Sequence, residues 1–236
     1  MDPHLLKKLN AERAARRAAI LVTDLGDGRD RLVREGDPVA GDLGSAIGKA
    51  FRSGKSTTVE AEGRTFFINV HVPPARLVVI GAVHISQALA PMAKVAGYDI
   101  EIIDPRTAFA TPDRFPDVTL HADWPQDVLG KQPLDSYTAV AALTHDPKID
   151  DPALEAALRA DCFYIGALGS RKTHGRRVER LTAAGFTQQQ IERIHAPIGL
   201  DIGAANPAEI AVAVLAQVIG AMRSRGLERA VGDEAA

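Results

Sequence analysis

The chain has 236 residues, of which 46% are hydrophobic and 25% are charged, so it is long enough for one large or two small domains with ordinary cores. Its formal net charge of −2 gives no overall attraction to nucleic acid or to an anionic membrane, and an anion must therefore be bound by a local cluster of basic residues. The single cysteine, Cys162, excludes an internal disulfide framework and a cysteine-rich metal site.

No long apolar segment follows the N-terminal residues Met1-Asp2-Pro3-His4, and nowhere do about 18 uncharged apolar residues run together. We therefore expect a protein that is neither exported nor embedded in a membrane. A reducing cytoplasm fits the one cysteine, and no nucleic-acid or membrane partner is expected.

The first part of the chain has the pattern of a small α+β unit, with an amphipathic helix followed by two hairpins and an intervening helix. Pro73 and Pro74 then interrupt the chain, because proline cannot donate to a β-ladder and restricts the residue before it. We predict one domain over residues 1–74 and a second over residues 75–236. In chain order, the first domain has a helix over 3–19, strands over 19–23 and 31–34, a helix over 43–51, and strands over 56–62 and 64–72.

Strands and helices alternate from residue 76 onward, as a doubly wound parallel sheet requires. The fold class is therefore α/β, a Rossmann-like doubly wound parallel sheet with a small α+β N-terminal domain. Residues 226–236 are expected to be frayed. The predicted strands cover 76–81, 99–104, 117–121, 138–144 and 162–165. The predicted helices cover 84–96, Asp150 or Asp151 to about 160, 170–184, a segment capped by Thr187, and 207–223.

The turn after the first of these strands reads Gly81-Ala82-Val83-His84. Ligands of open parallel sheets gather at the carboxyl ends of the strands, so this turn either holds a phosphate on the following helix N-terminus or is a bare connection. Val83 replaces the middle glycine of the G-x-G dinucleotide fingerprint, and Ser86 stands at the third glycine position. The sequence pattern therefore supports the fold more strongly than it supports nucleotide binding.

Two further strand ends carry polar residues. Asp104 can accept from a ribose or pterin hydroxyl and Arg106 can meet a phosphate, or the two form a surface ion pair. Thr144, His145 and Asp146 follow a later strand, where His145 is either a proton donor or metal ligand or a hydrogen-bonded loop histidine. A zinc site is not expected, because no second histidine lies at helical ligand spacing.

The last strand end, Gly166 to Lys172, has the strongest anion-binding character. Glycines allow close approach of the backbone, Ser170 can cap the coming helix, and Arg171 and Lys172 add charge in its first turn. The alternative is a solvated basic helix face formed by Arg171, Lys172, Arg176, Arg177 and Arg180. Cys162 is expected to be a buried small residue rather than a reactive thiol.

Four segments in one order carry a family resemblance: GAVHISQALAPMAKVAGYDIEIIDPRTAFATPDRFP, ALTHDPKIDDPAL, FYIGALGSRKTHGRRVERLTAAGF and IHAPIGLDIGAANPAEIAV. Together they closely resemble the C-terminal Rossmann domain of the XdhC/CoxI family over residues 76–223. These proteins are accessory factors of xanthine dehydrogenase and related molybdenum hydroxylases.

The resemblance implies a cofactor chaperone without a catalytic step. Such a protein would bind the molybdenum cofactor (molybdopterin), protect it while a cysteine desulfurase partner provides sulfur, and deliver it to the apo-hydroxylase, working as a homodimer. One alternative is an NAD(P)-dependent oxidoreductase with Asp104 on the ribose and His145 as acid or base. Another is a docking protein that recognises partner enzymes and holds no small molecule. The implied cofactor-binding residues are Gly81, Ala82, Val83, His84, Asp104, Arg106, Thr144, His145, Asp146, Gly166, Ala167, Leu168, Gly169, Ser170, Arg171 and Lys172.

Overall fold

The computed structural model describes residues 2–225, which divide into two compact units. One contains the residues up to Pro73 together with Arg225, and the other runs from Pro74 to Ser224. Residues 226–236, for which the sequence predicts a frayed end, lie outside the described residues. The predicted α/β fold class is confirmed: one unit contains a small antiparallel sheet and the other a parallel sheet of six strands.

The first unit has a four-stranded antiparallel sheet in the order β2-β1-β4-β3, with two helices. Alternate residues of β1 and β4, such as Ile20, Val22 and Ile68, pack against Leu43 and Ile47 of α2. The elements are α1 (Pro3–Ala14), β1 (Ala19–Asp24), β2 (Asp30–Arg34), α2 (Gly41–Ser53), β3 (Thr57–Ala61) and β4 (Arg64–His71).

Helix α1 is present, but it does not bury the apolar stripe that the sequence predicts. Its buried residues are Leu9 and Glu12. The Glu12 carboxylate accepts hydrogen bonds from Arg17 at 2.6 Å and Arg34 at 2.9 Å. The hydrogen bond from Arg17 is the main reason that the pKa of Glu12 is lowered. An ion-paired carboxylate thus takes the place of apolar contacts under this helix.

The second unit has a parallel sheet in the order β10-β9-β8-β5-β6-β7, which is the strand order typical of dinucleotide-binding folds. The elements are β5 (Arg76–Ile80), α3 (His84–Val95), β6 (Asp99–Ile103), β7 (Thr119–His121), α4 (Pro125–Lys131), β8 (Thr138–Ala142), α5 (Pro147–Arg159), β9 (Tyr164–Ala167), α6 (Arg171–Ala183), α7 (Gln188–Ile191), β10 (Ile194–His195) and α8 (Pro207–Ser224).

Helices cover both faces of this sheet. Leu77 and Val79 of β5 belong to the core beneath α3 and α8, whereas Val78 and Ile80 belong to the core beneath α4, α5 and α6. Helix α8 is long and apolar enough to cross a membrane by length and composition alone, a test that core helices also pass. Its residues Ala211, Val214 and Val218 are fully buried in the core of this unit.

Several details differ from the sequence prediction. Helix α1 ends at Ala14, five residues before the predicted end. Helix α5 begins at Pro147 with Asp146 as its N-cap, rather than at Asp150 or Asp151. Strand β9 begins at Tyr164, two residues later than predicted, and Cys162 precedes it. The sequence does not predict α4 and β10, because elements of seven and two residues are too short to show a periodic pattern.

Candidate functional site

The strand order reverses at β5, which lies between β8 and β6 and so marks the switch point of the sheet. Gly81 follows β5 directly and has a φ of +116°. A Cβ at this position would lie 2.8 Å from Thr144 Cγ2, at the end of β8. The backbone after β5 therefore approaches the segment after β8 so closely that only glycine fits.

Two backbone amides of the turn after β5 already have hydrogen-bond acceptors within the chain. Ala82 N–H donates to Asp104 Oδ2 at 2.8 Å, and Val83 N–H donates to Ser86 Oγ at 3.4 Å. The Ser86 hydroxyl in turn donates to the Gly81 carbonyl. Val83 has a φ of −104°, a backbone conformation that does not require glycine. His84 is exposed at the start of α3.

Asp104 is completely buried and its acceptor positions are occupied. Besides Ala82 N–H, it accepts from Arg106 through the backbone N–H at 2.9 Å, Nε at 2.9 Å and Nη2 at 2.7 Å. Burial opposes ionisation of this carboxyl, but the hydrogen bonds from Arg106 and Ala82 outweigh it and lower the pKa. A carboxylate has about four lone-pair sites, so a ribose hydroxyl would have to displace one of these partners.

Arg114, which is not among the predicted site residues, covers the same turn. Its Nη1 donates to the carbonyls of Ala82 at 3.1 Å and Phe109 at 2.8 Å, and its Nη2 donates to Gln87 Oε1 at 2.9 Å. The guanidinium also lies over the rings of Phe109 and Phe115. The side chain reaches the turn only through the path of the loop after β6, for which the sequence carries no periodic signal.

Asp150 organises the segment after β8. It is 1% exposed, and its carboxylate accepts from Thr144 Oγ1 at 2.7 Å, Thr144 N–H at 3.3 Å and His145 N–H at 3.1 Å. These bonds hold His145 at a φ of +64°, which is uncommon for a residue with a side chain. Burial raises the pKa of Asp150, and the bonds from Thr144 and His145 and the charge of Arg177 offset only part of this effect.

The three predicted residues after β8 therefore have different positions. Thr144 is bound to Asp150, and Asp146 caps α5 by accepting from Lys148 N–H at 2.9 Å. His145 alone lines a cleft with residues of α6.

The predicted anion cradle, Gly166 to Lys172, runs from the end of β9 into the first turn of α6. A Cβ at Gly166 would lie 2.5 Å from Tyr164 Oη and 2.6 Å from Ile198 Cγ1, so this glycine makes room for core side chains. Gly169 has a φ of +136°, and Ser170 caps α6 by accepting from Thr173 N–H at 3.2 Å. Arg171 and Lys172 are both exposed, but only Lys172 lines the cleft.

This cleft lies between α5 and α6 and has a volume of about 440 Å³, within the range usual for small-molecule sites. Basic side chains dominate its lining. Arg180 is neutralised by Asp151, whereas no ion pair to Lys172, Arg176 or Arg177 is found within residues 2–225. The lining residues are His145, Pro147, Asp150, Lys172, Thr173, Arg176, Arg177 and Arg180.

Arg177 is the basic residue whose position sequence reasoning missed. It is 2% exposed, and its Nη2 donates to the Leu168 carbonyl at 3.1 Å. Its Nε and Nη1 are buried and have no hydrogen-bond partner within the described chain. Burial is the main cause that lowers the pKa of this guanidinium. The signal that could have indicated burial is its spacing four residues before Leu181, the other buried residue of α6.

Comparison with known proteins decides the family. Residues 77–218, more than half of the chain, match the family described as the XdhC Rossmann domain. The chain belongs to the XdhC family. The predicted resemblance is thereby confirmed, and the matched residues include the strand ends after β5, β6, β8 and β9.

Relatives of this XdhC-family chain carry several names. It is 32% identical to the uncharacterized protein YqeB of Escherichia coli over 80% of its length, and 34% identical to the molybdenum cofactor insertion chaperone PaoD of the same organism over 62%. A Bacillus subtilis protein named as a probable subunit of xanthine dehydrogenase is 30% identical over 65%. The chain spans 32%, 40% and 44% of the lengths of these three relatives.

A solved structure shares the fold of this XdhC-family chain. The crystal structure of a protein described as a xanthine dehydrogenase from Bacillus halodurans aligns with a TM-score of 0.62 and 26% identity. The alignment covers 93% of this chain and 64% of that one.

Two expectations concern metal and thiol chemistry. Within residues 2–225, no group of three or more His, Cys, Asp or Glu side chains is arranged to hold a metal ion. Cys162 is fully buried, and burial raises its pKa to about 12, so its thiol stays protonated at neutral pH. The interpretation of Cys162 as a buried small residue is confirmed.

Proposed function

We propose that this chain binds the molybdenum cofactor in the basic cleft between α5 and α6 and delivers it to xanthine dehydrogenase or a related molybdenum hydroxylase. The observation that carries the proposal is the cleft itself, which opens beside the strained residue His145 at the carboxyl edge of an XdhC-type sheet. A molybdenum-cofactor role in general is supported by the family and by the relative named as a cofactor insertion chaperone.

The chemistry of the cleft suits this cargo. The molybdenum cofactor is a pterin with a phosphate and a dithiolene-bound metal, so a carrier needs cations for the phosphate and polar groups for the pterin. Lys172, Arg176 and Arg177 provide the positive charge, and His145 and Thr173 provide polar groups. A carrier needs no nucleophile or base, and we propose that the chain is not an enzyme.

The NAD(P)-dependent oxidoreductase has less support. Its ribose contact would fall on Asp104, whose oxygens already accept from Ala82 and Arg106. The turn amides that would meet a pyrophosphate are paired with Asp104 and Ser86. We therefore expect neither NAD nor NADP to bind tightly.

Several parts of the proposal rest on the family resemblance alone. They are the partnership with an apo-hydroxylase and with a cysteine desulfurase, and the homodimer. Light scattering on the purified full chain would test the dimer, and co-purification from cells that express a molybdenum hydroxylase would test the partnership.

The direct test is an anaerobic titration of the full chain with isolated molybdenum cofactor. The fluorescence of Trp124, which is 41% exposed, reports binding. Lys172→Ala should weaken binding by about 1.5–3 kcal/mol if its ammonium meets the phosphate. Lys131→Ala, at the end of α4 and outside the cleft, is the matched control and should bind as the wild type does.

Arg171→Ala separates the cleft from the cradle that the sequence predicts. A loss equal to that of Lys172→Ala would return the site to residues 166–172. Failure of the wild type to bind the cofactor, or saturable NAD(P) binding with turnover, would overturn the proposed function.

A further inference from the structure

Arg177 is buried, and residues 2–225 satisfy only part of its hydrogen-bonding capacity. The side chain is 2% exposed, and the Leu168 carbonyl is the acceptor of its Nη2. Nε and Nη1 have no acceptor within residues 2–225. A buried guanidinium with unmet N–H groups is costly, because each group has given up its hydrogen bonds to water. Such an arrangement is expected where a ligand supplies the missing acceptors.

The nearest acidic groups are already engaged. Asp150 attracts Arg177 electrostatically, but its carboxylate accepts hydrogen bonds from Thr144 and His145. Asp151 is paired with Arg180. The cleft therefore keeps an excess of positive charge, to which Lys172 and Arg176 contribute from its exposed side.

Two helices of 13 residues begin at this cleft. Pro147 is the first residue of α5, and Lys172 and Thr173 belong to the first turn of α6. The positive ends of both helix dipoles thus lie beside the basic residues, and both favour an anion. The turn before α3 lacks this combination, since Arg114 and Asp104 already bind its backbone.

We propose that Arg177 is the receptor for a phosphate monoester, which accepts from one of its N–H groups that lack a partner within residues 2–225, with Lys172 and Arg176 on the exposed side. A phosphate monoester offers three terminal oxygens and close to two negative charges, which match a buried guanidinium and two further cations. That this phosphate belongs to the molybdenum cofactor rests on the proposed function, whereas the anion site does not. The cofactor would then enter with its phosphate deepest and its pterin towards His145.

The first experiment measures the binding of inorganic phosphate to the full chain. The readouts are a ³¹P NMR titration and the melting temperature of the protein with and without phosphate. Phosphate should bind the wild type saturably and raise its melting temperature. Arg177→Met keeps most of the side-chain volume and removes the charge, and it should weaken phosphate binding at least about tenfold, which corresponds to about 1.4 kcal/mol. Without phosphate the variant should melt no lower than the wild type, because a buried charge without full partners is removed.

Arg76→Met is the matched control. Arg76 is also buried and also has an Nε without a hydrogen-bond partner, but it lies at the amino end of β5, away from the cleft. The variant should lose stability, because Glu101 is left without the Arg76 guanidinium that lies 3.8 Å away, and it should keep the phosphate affinity of the wild type. If Arg177→Met does not fold, Lys172→Met with Arg176→Met tests the same site from its exposed side and should also lose at least about tenfold.

The outcomes separate the inference from the proposed function. No saturable phosphate binding by the wild type, or equal phosphate binding by all variants, overturns the anion site. Phosphate binding that depends on Arg177 in a chain that does not bind molybdenum cofactor supports the anion site and overturns the carrier function. Equal cofactor binding by the wild type and Arg177→Met, in folded proteins, supports the carrier function and overturns the role of Arg177.

Discussion

At the scale of single residues, two buried carboxylates organise the carboxyl edge of the sheet in opposite ways. Burial is the largest single effect on the pKa of each carboxyl, and it acts to raise the pKa. For Asp104, the hydrogen bonds from Arg106 and Ala82 outweigh burial, so its pKa is lowered. Asp150 accepts from a hydroxyl and two amides, and its pKa is raised. Asp104 therefore serves as a fixed anion that ties the loop after β6 to the turn after β5. Asp150 holds His145 in its strained conformation beside the cleft.

Asp104→Asn should lower the free energy of unfolding at pH 7 by about 2–4 kcal/mol, because a partly buried guanidinium and a backbone donor lose their carboxylate. Folding lowers the pKa of Asp104, so its ionised form stabilises the protein above the unfolded-state value of about 3.9, and this contribution is lost as the pH falls through the folded-state pKa. Urea unfolding between pH 3 and 7, on the wild type and the variant, measures the difference.

The exposed Asp113, in the same loop, supplies the control as Asp113→Asn, which should change stability little. The difference between the wild type and Asp104→Asn should shrink towards acidic pH. A difference that stays constant over the whole range would show that ionised Asp104 does not stabilise the fold.

At the scale of elements, the site depends on how closely the chain after β5 approaches the chain after β8. Parallel pairing of β5 with β8 sets this distance, since Ile80 stands opposite Ala142 and Leu143 N–H donates to the Ile80 carbonyl at 2.8 Å. This close approach requires glycine at position 81, because the φ angle is positive and an added Cβ would meet Thr144.

Gly81→Ala should therefore destabilise the protein more than a glycine replacement that adds backbone strain alone. Gly97→Ala is the comparison, because Gly97 has a φ of +85° and no atom within 4 Å of an added Cβ. We expect about 1–2 kcal/mol for Gly97→Ala and about 1–3 kcal/mol more for Gly81→Ala, in which the methyl group meets Thr144. Chemical denaturation measures both, and equal losses would mean that Thr144 moves aside without cost.

The boundaries of α5 and α6 show why this part of the site was only partly predictable. Asp146 and Asp150 are both residue types that commonly cap a helix. The helix begins after Asp146 because the Asp150 carboxylate is buried and accepts from Thr144 instead. In α6 a row of basic residues indicates charge but does not identify the buried one. Packing of α6 against α5 places Arg177 inward with Leu181 and leaves Arg176 exposed.

At the scale of the whole molecule, each unit has its own sheet and its own core. We propose that the two units are separate domains that meet in sequence at Pro73-Pro74. Each would then unfold without the other, because each has an apolar core of its own.

Ile68→Ala tests this proposal, since Ile68 is fully buried in the core of the first unit. The loss of about 2–5 kcal/mol expected for such a core truncation should speed amide hydrogen exchange in β1 to β4 and leave β5 to β9 unchanged. Ile102→Ala, fully buried in the other unit, should give the reverse pattern. Faster exchange throughout the chain in either variant would mean that the units unfold together.

The sequence by itself determined the α/β class, most of the strands and the family, because these follow from periodicity, turn residues and motif order, which are properties of neighbouring residues. It also indicated the edge of the sheet where the candidate site lies, since strand ends can be read from apolar runs. The tertiary structure decided which polar groups there are already paired. Asp104 is occupied by Arg106, whereas Arg177, for which a solvated helix face was the alternative to an anion site, is buried with two nitrogens that lack partners among residues 2–225. Pairing and burial depend on contacts between segments far apart in the chain, and no local pattern encodes them.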